Sequence, residues 1–321
     1  MKKYLPLFPL LAFPLFLHCG IEDGGPVVPP AEKIVFLVTG DCRGDDNGVN
    51  TEVLGEIVQA GLDEAVDFVL LTGDFVNGYD VPDTLYSQLL TFRETLQPLC
   101  DAGIAVYPCR GNHDAFYDSE PDRAWNRVFS GDWSLPQNGP VGERGLSYSF
   151  SRDSLFVVVV DQYVTDSRVN QGWLNGQFSS NALPHVFVLG HEPAFRVFHT
   201  DCLENYPEER NTFWQSMSDA GVAAYFTGHD HFYDHARLDD GDGNPDNDVH
   251  QFVVGTAGAP LYPVPMTYYG DNGLWTPERI FSESSHGYLL VEVEGSQATF
   301  RFKRRLSPGQ FELAEQFSYT R

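Results

Sequence analysis

The sequence predicts an α/β fold, because runs of consecutive apolar residues alternate with segments in which apolar residues have helical spacing. Continuous apolar runs of about 4–8 residues between turn residues are typical of strands buried on both faces. A second observation is that Gly followed by Asp, Asn or His comes after nearly every run. Ligands of open α/β sheets bind at the carboxyl ends of the strands, so these polar residues are expected to share one crevice.

The amino-terminal half contains three predicted strands and two predicted helices. Each strand is a nearly continuous apolar run, and the second helix places Leu89, Phe92 and Leu96 on one face, as an amphipathic helix does. In chain order the segments are strand Ile34 to Thr39, helix Thr51 to Ala60, strand Val66 to Thr72, helix Leu85 to Leu99 and strand Ile104 to Tyr107.

The carboxyl-terminal half begins with a predicted hairpin and ends in a β-rich segment. Leu146 to Phe150 and Leu155 to Val160 flank the turn residues Arg152 to Ser154, a pattern typical of two antiparallel strands. The later segments are helix Trp173 to Phe178, strand Val186 to Leu189, helix Asn211 to Asp219, and strands Val222 to Phe226, Gln251 to Val254, Tyr288 to Val293 and Ala298 to Phe302.

Two segments are long for plain connections, Phe195 to Arg210 and Leu261 to Glu283. Loops of this length inside a domain are usually functional or disordered. The second segment is rich in aromatic residues, which either line a pocket or cover a sheet edge: Tyr262, Tyr268, Tyr269 and Trp275.

Six side chains of the kinds that bind metals follow these strands. Carboxylate, amide and imidazole donors together suit Mn, Fe or Zn. Two metal ions about 3.5–4 Å apart activate water and hold the phosphoryl group in many hydrolases, so the set indicates a two-metal hydrolase site. The blocks are Gly40-Asp41, Gly73-Asp74, Gly111-Asn112-His113-Asp114, Gly190-His191 and Gly228-His229-Asp230-His231.

The order of these five blocks resembles that of the calcineurin-like metallophosphoesterases, and the resemblance extends from about Lys33 to about Lys303. It implies a metallo-dependent phosphatase-like fold, a four-layer α/β/β/α sandwich of two mixed sheets. It also implies hydrolysis of phosphomonoesters or small phosphodiesters by a hydroxide bound to a dinuclear metal centre. Purple acid phosphatases are relatives, but the position of their iron-binding Tyr is occupied here by Asn77.

The resemblance also implies a role for each donor. Asp74 would bridge two divalent or trivalent metal ions, since a carboxylate can give one oxygen to each. Asp41 and His231 would complete the first metal site. The second site would consist of Asn112, His191 and His229. The metals would be Mn, Fe or Zn.

His113 resembles the family's catalytic His, which protonates or hydrogen-bonds the leaving oxygen. Asp114 would orient that imidazole and raise its pKa; the alternative is that Asp114 caps the next helix. Among the histidines outside the motifs, His199 and His235 are the best candidates for contact with substrate.

Arg43 stands where the family usually has a His ligand. A guanidinium cannot bind a metal and weakens cation binding nearby. It is expected to face the site and hold a substrate phosphate with two hydrogen bonds. The alternative is that it pairs with Asp45 or Asp46 in the acidic turn that follows.

The chain is predicted to be exported to a bacterial cell envelope, as a periplasmic or outer-surface protein. Residues 1–18 read as an export signal, because a basic start precedes an apolar stretch too short to span a bilayer. Cys19 lies in an imperfect lipoprotein box, so residues 19–32 are predicted to be a lipidated or flexible tether. Residues 33–305 then form the phosphoesterase domain, and residues 306–321 a strand or tail.

Four cysteines remain in the mature chain. Cys42 and Cys109 each lie within three residues of a predicted metal ligand, at the ends of two predicted core strands, so a disulfide between them is conceivable in an exported protein. The favoured interpretation is that both are small buried residues, and a third option is that Cys42 is a thiolate ligand. The segment from Asp240 to Asp248 has the oxygen density of a calcium loop without its terminal Glu, and a hairpin turn is the favoured interpretation.

The charge of the chain restricts its partners. The formal net charge is −25, from 20 basic and 45 acidic residues. Such a surface repels the phosphate backbone of nucleic acids, so the expected partner is a small phosphorylated substrate. A membrane would be met only through the possible anchor at Cys19. Alternatives for function are a phosphodiesterase for phospholipid head groups or cyclic nucleotides, and a catalytically weak binding protein on the same fold.

Overall fold

The helices and strands follow the predicted alternation closely. The computed structural model describes residues 33–78, 83–116 and 120–320, so the predicted export signal and tether lie outside the described residues. The strands are β1 (Ile34–Thr39), β2 (Arg43–Asp46), β3 (Phe68–Leu71), β4 (Ala105–Pro108), β5 (Tyr148–Arg152), β6 (Leu155–Val159), β7 (His185–Leu189), β8 (Ala224–Thr227), β9 (Tyr233–Asp239), β10 (Val249–Val254), β11 (Thr276–Glu283), β12 (Gly287–Glu294), β13 (Gln297–Ser307) and β14 (Gln310–Thr320). The α-helices are α1 (Thr51–Asp63), α2 (Thr84–Asp101), α3 (Asn112–Ala115), α4 (Pro121–Val128), α5 (Gln171–Ser180) and α6 (Pro207–Asp219).

The strands form two mixed sheets. The first has the order β14-β13-β12-β1-β3-β4, and the second has the order β11-β9-β10-β8-β7-β6-β5. The strands β1, β3 and β4 are parallel to one another, as are β6, β7, β8 and β10. Because parallel neighbours end at the same edge, the segments that follow these strands are brought together.

The burial of β6 shows how the layers are arranged. Val157 and Val159 lie in the large core that also contains Phe36, whereas Val158 and Val160 lie in a second core. Alternate side chains of a strand point to opposite faces, so this sheet is covered on both sides. The second core contains Leu174 of α5 and Phe213, Trp214 and Met217 of α6. The large core contains Val53, Leu54 and Ile57 of α1 and Leu89, Phe92 and Leu96 of α2.

Helices therefore cover one face of each sheet, while the two remaining faces pack together. Phe36 of β1 contacts Phe187 of β7 and Phe226 of β8 across this interface, with ring centroids 5.6 and 6.3 Å apart. The predicted four-layer α/β/β/α sandwich of two mixed sheets is confirmed.

Two long strands are absent from the prediction, β9 and β11. In β11 half-buried and exposed residues alternate over most of the strand, and β14 also contains only half-buried and exposed residues. Both lie at sheet edges, where a strand needs no continuous apolar run. The segment predicted as a strand or tail contains β14, which pairs with β13 along most of its length.

The four described cysteines are free, which excludes the alternative of a disulfide between Cys42 and Cys109. Both are buried, and Cys42 Sγ lies 3.4 Å from the Phe75 carbonyl oxygen. They are small buried residues, as the favoured interpretation had it. Burial raises the pKa of Cys42 well above its usual value, which disfavours a thiolate ligand.

The acidic segment from Asp240 to Asp248 connects β9 to β10, which are antiparallel neighbours. Asp and Asn side chains accept hydrogen bonds from backbone N–H groups two residues onward, as is typical of such turns. The predicted hairpin turn is confirmed. In the part of the chain that the structure describes, no helix combines the length and the apolar character that crossing a membrane requires.

Candidate metal centre

The six predicted ligands meet at one edge of the sandwich. Asp41 follows β1, Asp74 follows β3, and Asn112 begins α3 after β4. In the second sheet His191 follows β7, and both His229 and His231 follow β8. All but Asn112 are less than a tenth exposed. Residues from five strand ends thus share one buried position, as the sequence predicted.

The backbone at this position is strained and closely packed. Three of the six residues are in left-handed conformations, with φ of 57° at Asp41, 53° at Asp74 and 69° at His229. Non-glycine residues in this region cost about 1–3 kcal/mol each and concentrate at functional sites. A Cβ at Gly111 would lie 2.1 Å from Asp74 Oδ1, and a Cβ at Gly228 would lie 2.2 Å from Asp41 Oδ2. Glycine precedes these ligands because neighbouring carboxylates occupy that space.

One group of donors is arranged as a metal would require. His191 Nε2 lies 3.4 Å from Asp74 Oδ1 and 3.3 Å from Asn112 Oδ1. His229 Nδ1 lies 3.2 Å from the same Asn112 oxygen. Metal–ligand bonds of about 2.0–2.2 Å place neighbouring ligand atoms roughly 2.8–3.6 Å apart. We call these four residues the second position, and their donor atoms fit a metal ion.

The hydrogen bonds of His191 support this fit. Its Nδ1 lies 2.6 Å from the Thr72 carbonyl oxygen and donates to it. Burial lowers the pKa of His191 to about 3, so Nε2 carries a lone pair and no proton. That lone pair faces two oxygen acceptors, which is unfavourable unless a cation lies between them.

The other candidate group consists of Asp41, Asp74 and His231. We call it the first position, as it corresponds to the first metal site of the sequence analysis. His231 Nε2 lies 3.5 Å from Asp41 Oδ1, a buried oxygen that has no hydrogen-bond partner among the described residues. Burial and the neighbouring Asp74 carboxylate raise the pKa of Asp41. The donors are of the right kind, but a further side chain lies among them.

That side chain is Arg43. Its Nη2 lies 2.9 Å from His231 Nε2, its Nη1 lies 2.5 Å from His113 Nε2, and its Nε lies 3.5 Å from Asp74 Oδ2. The side chain is 16% exposed. Arg43 therefore faces the site, and the alternative of a surface pair with Asp45 or Asp46 is wrong.

His113 lies next to Arg43. Its Nδ1 is 2.6 Å from the Asn77 carbonyl oxygen, and its Nε2 accepts from Arg43. Burial lowers the pKa of His113. The Asp74 carboxylate raises this pKa, and the Arg43 guanidinium lowers it. The imidazole is therefore neutral, with its proton on Nδ1.

Asp114 does not have the predicted role of orienting His113. Its oxygens accept from the backbone N–H groups of Asp74, Phe75 and Gly111, at 2.8–3.1 Å. Burial and the Asp74 carboxylate raise the pKa of Asp114 to about 8, while these three donors act in the opposite direction. The carboxyl group caps α3, as the alternative proposed, and ties that helix to the loop carrying Asp74.

His199 contacts the site, whereas His235 does not. The His199 ring lies 4.5 Å from the His229 ring, and its Nδ1 lies 2.6 Å from Asp230 Oδ1. His235 is buried between the sheets, with Nδ1 2.6 Å from Glu315 Oε1. The prediction that His235 approaches substrate is wrong. Its partner Glu315 lies on the other sheet, and the sequence did not indicate this contact.

The aromatic segment before β11 has two functions. Tyr262 stacks on His231, with ring centroids 4.3 Å apart and planes inclined by 12°, so it lines the site. Trp275 is 5% exposed and packs in the second core against Phe195. The interpretation of a pocket lining thus holds for Tyr262, whereas Trp275 belongs to the second core. The role of Asp230 as the partner of His199 was missed, although Asp230 lies inside a recognised motif.

A sequence model of the calcineurin-like phosphoesterases matches residues 34–233, which include all six predicted ligands. The chain belongs to this family. Membership supports metal-dependent hydrolysis of phosphoesters, and it implies a dinuclear metal site and small phosphorylated substrates. None of the curated protein sequences matches the chain.

Solved structures of low sequence identity share the fold of this family member. They include purple acid phosphatase PPD1 from yellow lupin (Lupinus luteus) seeds, with a TM-score of 0.67 and 17% identity over 90% of this chain and 54% of that chain. GAP50, the anchor in the inner membrane complex of Plasmodium, has a TM-score of 0.62 and 15% identity over 90% of this chain and 89% of that chain. A dimetal phosphatase from Danio rerio has a TM-score of 0.58 and 14% identity over 91% of this chain and 99% of that chain. The chain thus spans about half the length of the lupin enzyme.

Proposed function

We propose that this chain is an exported metal-dependent phosphoesterase that hydrolyses phosphomonoesters or small phosphodiesters. The observation that carries the proposal is the second position. There three pairs of neighbouring donor atoms lie 3.2–3.4 Å apart, and the His191 Nε2 lone pair faces the oxygens of Asp74 and Asn112. Few arrangements other than a cation site stabilise such a buried set.

The donor set favours Mn, Fe or Zn, since oxygen and imidazole ligands are mixed. A bound metal of this kind supplies a water of lowered pKa and offsets the charge that develops on phosphoryl oxygens. Asp74 is the central ligand, because its Oδ1 faces His191 and its Oδ2 faces Arg43.

The residues around the second position are suited to a phosphate group. Arg43 carries five N–H donors in a planar fork, which matches two phosphate oxygens. His113 lies beside it, with Nε2 accepting from Arg43, and is assigned to the leaving oxygen. That role requires the imidazolium form, because Nε2 must then carry a proton. His199 is a third side chain of this region that can donate a hydrogen bond, and its Nδ1 is held by the buried Asp230.

The export component of the proposal comes from the first residues of the chain. Lys2 and Lys3 precede an apolar stretch, and Cys19 follows in a lipoprotein-like box. Metabolic labelling with a radioactive fatty acid tests the anchor at Cys19, with Cys19→Ser as the matched control. Equal labelling of both forms would exclude Cys19 as the lipidated residue.

The decisive experiment for the activity compares nitrophenyl phosphate with bis-nitrophenyl phosphate as substrates of the full chain. Hydrolysis of at least one, lost after chelation and restored by Mn²⁺ or Zn²⁺, is the expected result. The ratio of the two rates assigns the enzyme to monoesters or diesters. Hydrolysis that persists unchanged after complete removal of metal, or none with any metal, would overturn the proposal and favour a binding protein.

A further inference from the structure

We infer that the Arg43 guanidinium takes the place of the first metal ion, so that this chain works with one metal at the second position. The inference rests on the proposed function, because it concerns the same site. It departs from the dinuclear centre that the family implies, and it follows from the arrangement of the side chains at the first position.

His231 has its only acceptor lone pair taken by Arg43. The His231 Nδ1 lies 2.7 Å from the Pro260 carbonyl oxygen and donates to it, so the proton is on Nδ1. A neutral imidazole then has one acceptor, at Nε2. Arg43 Nη2 lies 2.9 Å from that nitrogen and donates to it. One lone pair cannot serve a guanidinium N–H and a metal ion at the same time.

Without His231, the first position retains two carboxylate donors. Asp41 Oδ1 is buried without a hydrogen-bond partner in the described chain, and Asp74 Oδ2 lies 3.5 Å from Arg43 Nε. Catalytic metal sites ordinarily use three protein ligands. A divalent cation here would have fewer, and it would lie beside a fixed positive charge that repels it. The guanidinium already supplies the charge that these carboxylates need.

Arg43 is held in this place from both ends. The backbone around it is tied to the loop after β3, since Asn77 Nδ2 donates to the Gly44 carbonyl oxygen at 2.7 Å and Cys42 N donates to the Asp74 carbonyl oxygen at 3.1 Å. The head group lies between His113 and His231. It is thus a built part of the site, unlike a long side chain on the surface.

At the second position the His191 Nε2 lone pair has no such competitor among the described residues. His191 Nε2 faces Asp74 Oδ1 and Asn112 Oδ1, which are both acceptors. One metal there and one guanidinium at the first position would divide the work. The metal would activate water, and Arg43 would offset charge on the phosphoryl oxygens, as preorganised donors do in other enzymes.

The test is the number of Mn²⁺ ions bound by the purified full chain, measured by equilibrium dialysis and by electron paramagnetic resonance. We expect one Mn²⁺ per wild-type chain, with the hyperfine lines of an isolated ion. Arg43→His should bind two ions that give an exchange-coupled spectrum, because a neutral donor replaces the charge. Arg43→Ala should also admit a second ion, bound more weakly, since the His231 lone pair is released.

Two controls make the result specific. Arg123→His, which changes an arginine with a 69% exposed side chain, should still bind one ion. Adding His231→Ala to Arg43→His should return the count from two to one.

Two coupled ions in the wild type, or a single ion in both Arg43→His and Arg43→Ala, would overturn the inference. A two-metal wild type that still hydrolyses phosphoesters would leave the proposed function intact. One ion with no hydrolysis of any phosphoester would sink the proposed function alone, and a chain that binds no Mn²⁺ would contradict both.

Discussion

The two metal positions of this site use the same kinds of ligand but differ in what surrounds them. At the second position the buried His191 has its proton on Nδ1, so the lone pair on Nε2 faces the oxygens of Asp74 and Asn112. At the first position the equivalent lone pair, on His231, accepts from Arg43. The comparison teaches that a ligand set is defined by free lone pairs as well as by residue types.

The largest expected effect is that of Asp74→Asn, because Asp74 serves both positions. A neutral amide removes the negative charge that a metal and Arg43 both face. We expect kcat/KM to fall by at least roughly 10²–10³-fold, equivalent to about 3–4 kcal/mol of lost transition-state stabilisation, together with loss of bound metal. Steady-state kinetics and elemental analysis of the metal measure both. Asp132→Asn changes an exposed carboxylate and should alter neither; retained activity within a few-fold in Asp74→Asn would contradict the assignment.

A matched pair of alanine variants sharpens the comparison between the positions. His191→Ala should weaken metal binding by more than about 100-fold, since even indirect partners of ligands contribute ~10–100-fold. His231→Ala should leave the affinity of the remaining metal within a few-fold, because its lone pair belongs to Arg43. Titration with Zn²⁺ against a fluorescent chelator distinguishes them. Equal losses in the two variants would mean that both imidazoles bind metal.

His113→Ala tests the rim of the site. It should lower turnover by about 10²-fold for alkyl phosphates, at the lower end of general acid contributions, while metal content stays unchanged. The loss should be smaller for nitrophenyl phosphate, whose leaving group needs no proton. If both classes of substrate lose turnover equally, His113 acts by holding Arg43 and has no role at the leaving oxygen.

The smallest expected effect is that of Asp201→Asn. Asp201 Oδ1 lies 3.5 Å from His229 Nε2, but its side chain is 64% exposed. Exposed ion pairs contribute about 0–1 kcal/mol, so the metal affinity should change by no more than roughly fivefold. Isothermal titration at two salt concentrations checks this, and a loss comparable to that in His191→Ala would make Asp201 part of the second position.

Local patterns were enough to predict the elements that carry the site. Continuous apolar runs identified β1, β3, β4, β7 and β8, because strands buried on both faces need apolar residues at every position. The edge strand β11 was missed, since it pairs with β9, which is distant in the chain. The edge strand β14 was expected only as a strand or tail, and it pairs with β13, the strand directly before it. The structure adds the reason for the glycines before Asn112 and His229, since the carboxylates of Asp74 and Asp41 approach Gly111 and Gly228.

The sequence by itself determined the order of the motifs, the family and the six donor residues, because these depend on residue type and on the strand that each residue follows. Only the tertiary structure decided which atoms those donors face. Asp114 bonds backbone N–H groups in place of His113, and Arg43 reaches His231, which is 188 positions away in the chain. Contacts of this kind depend on how two sheets meet, and a linear pattern carries no record of distances between side chains on different sheets.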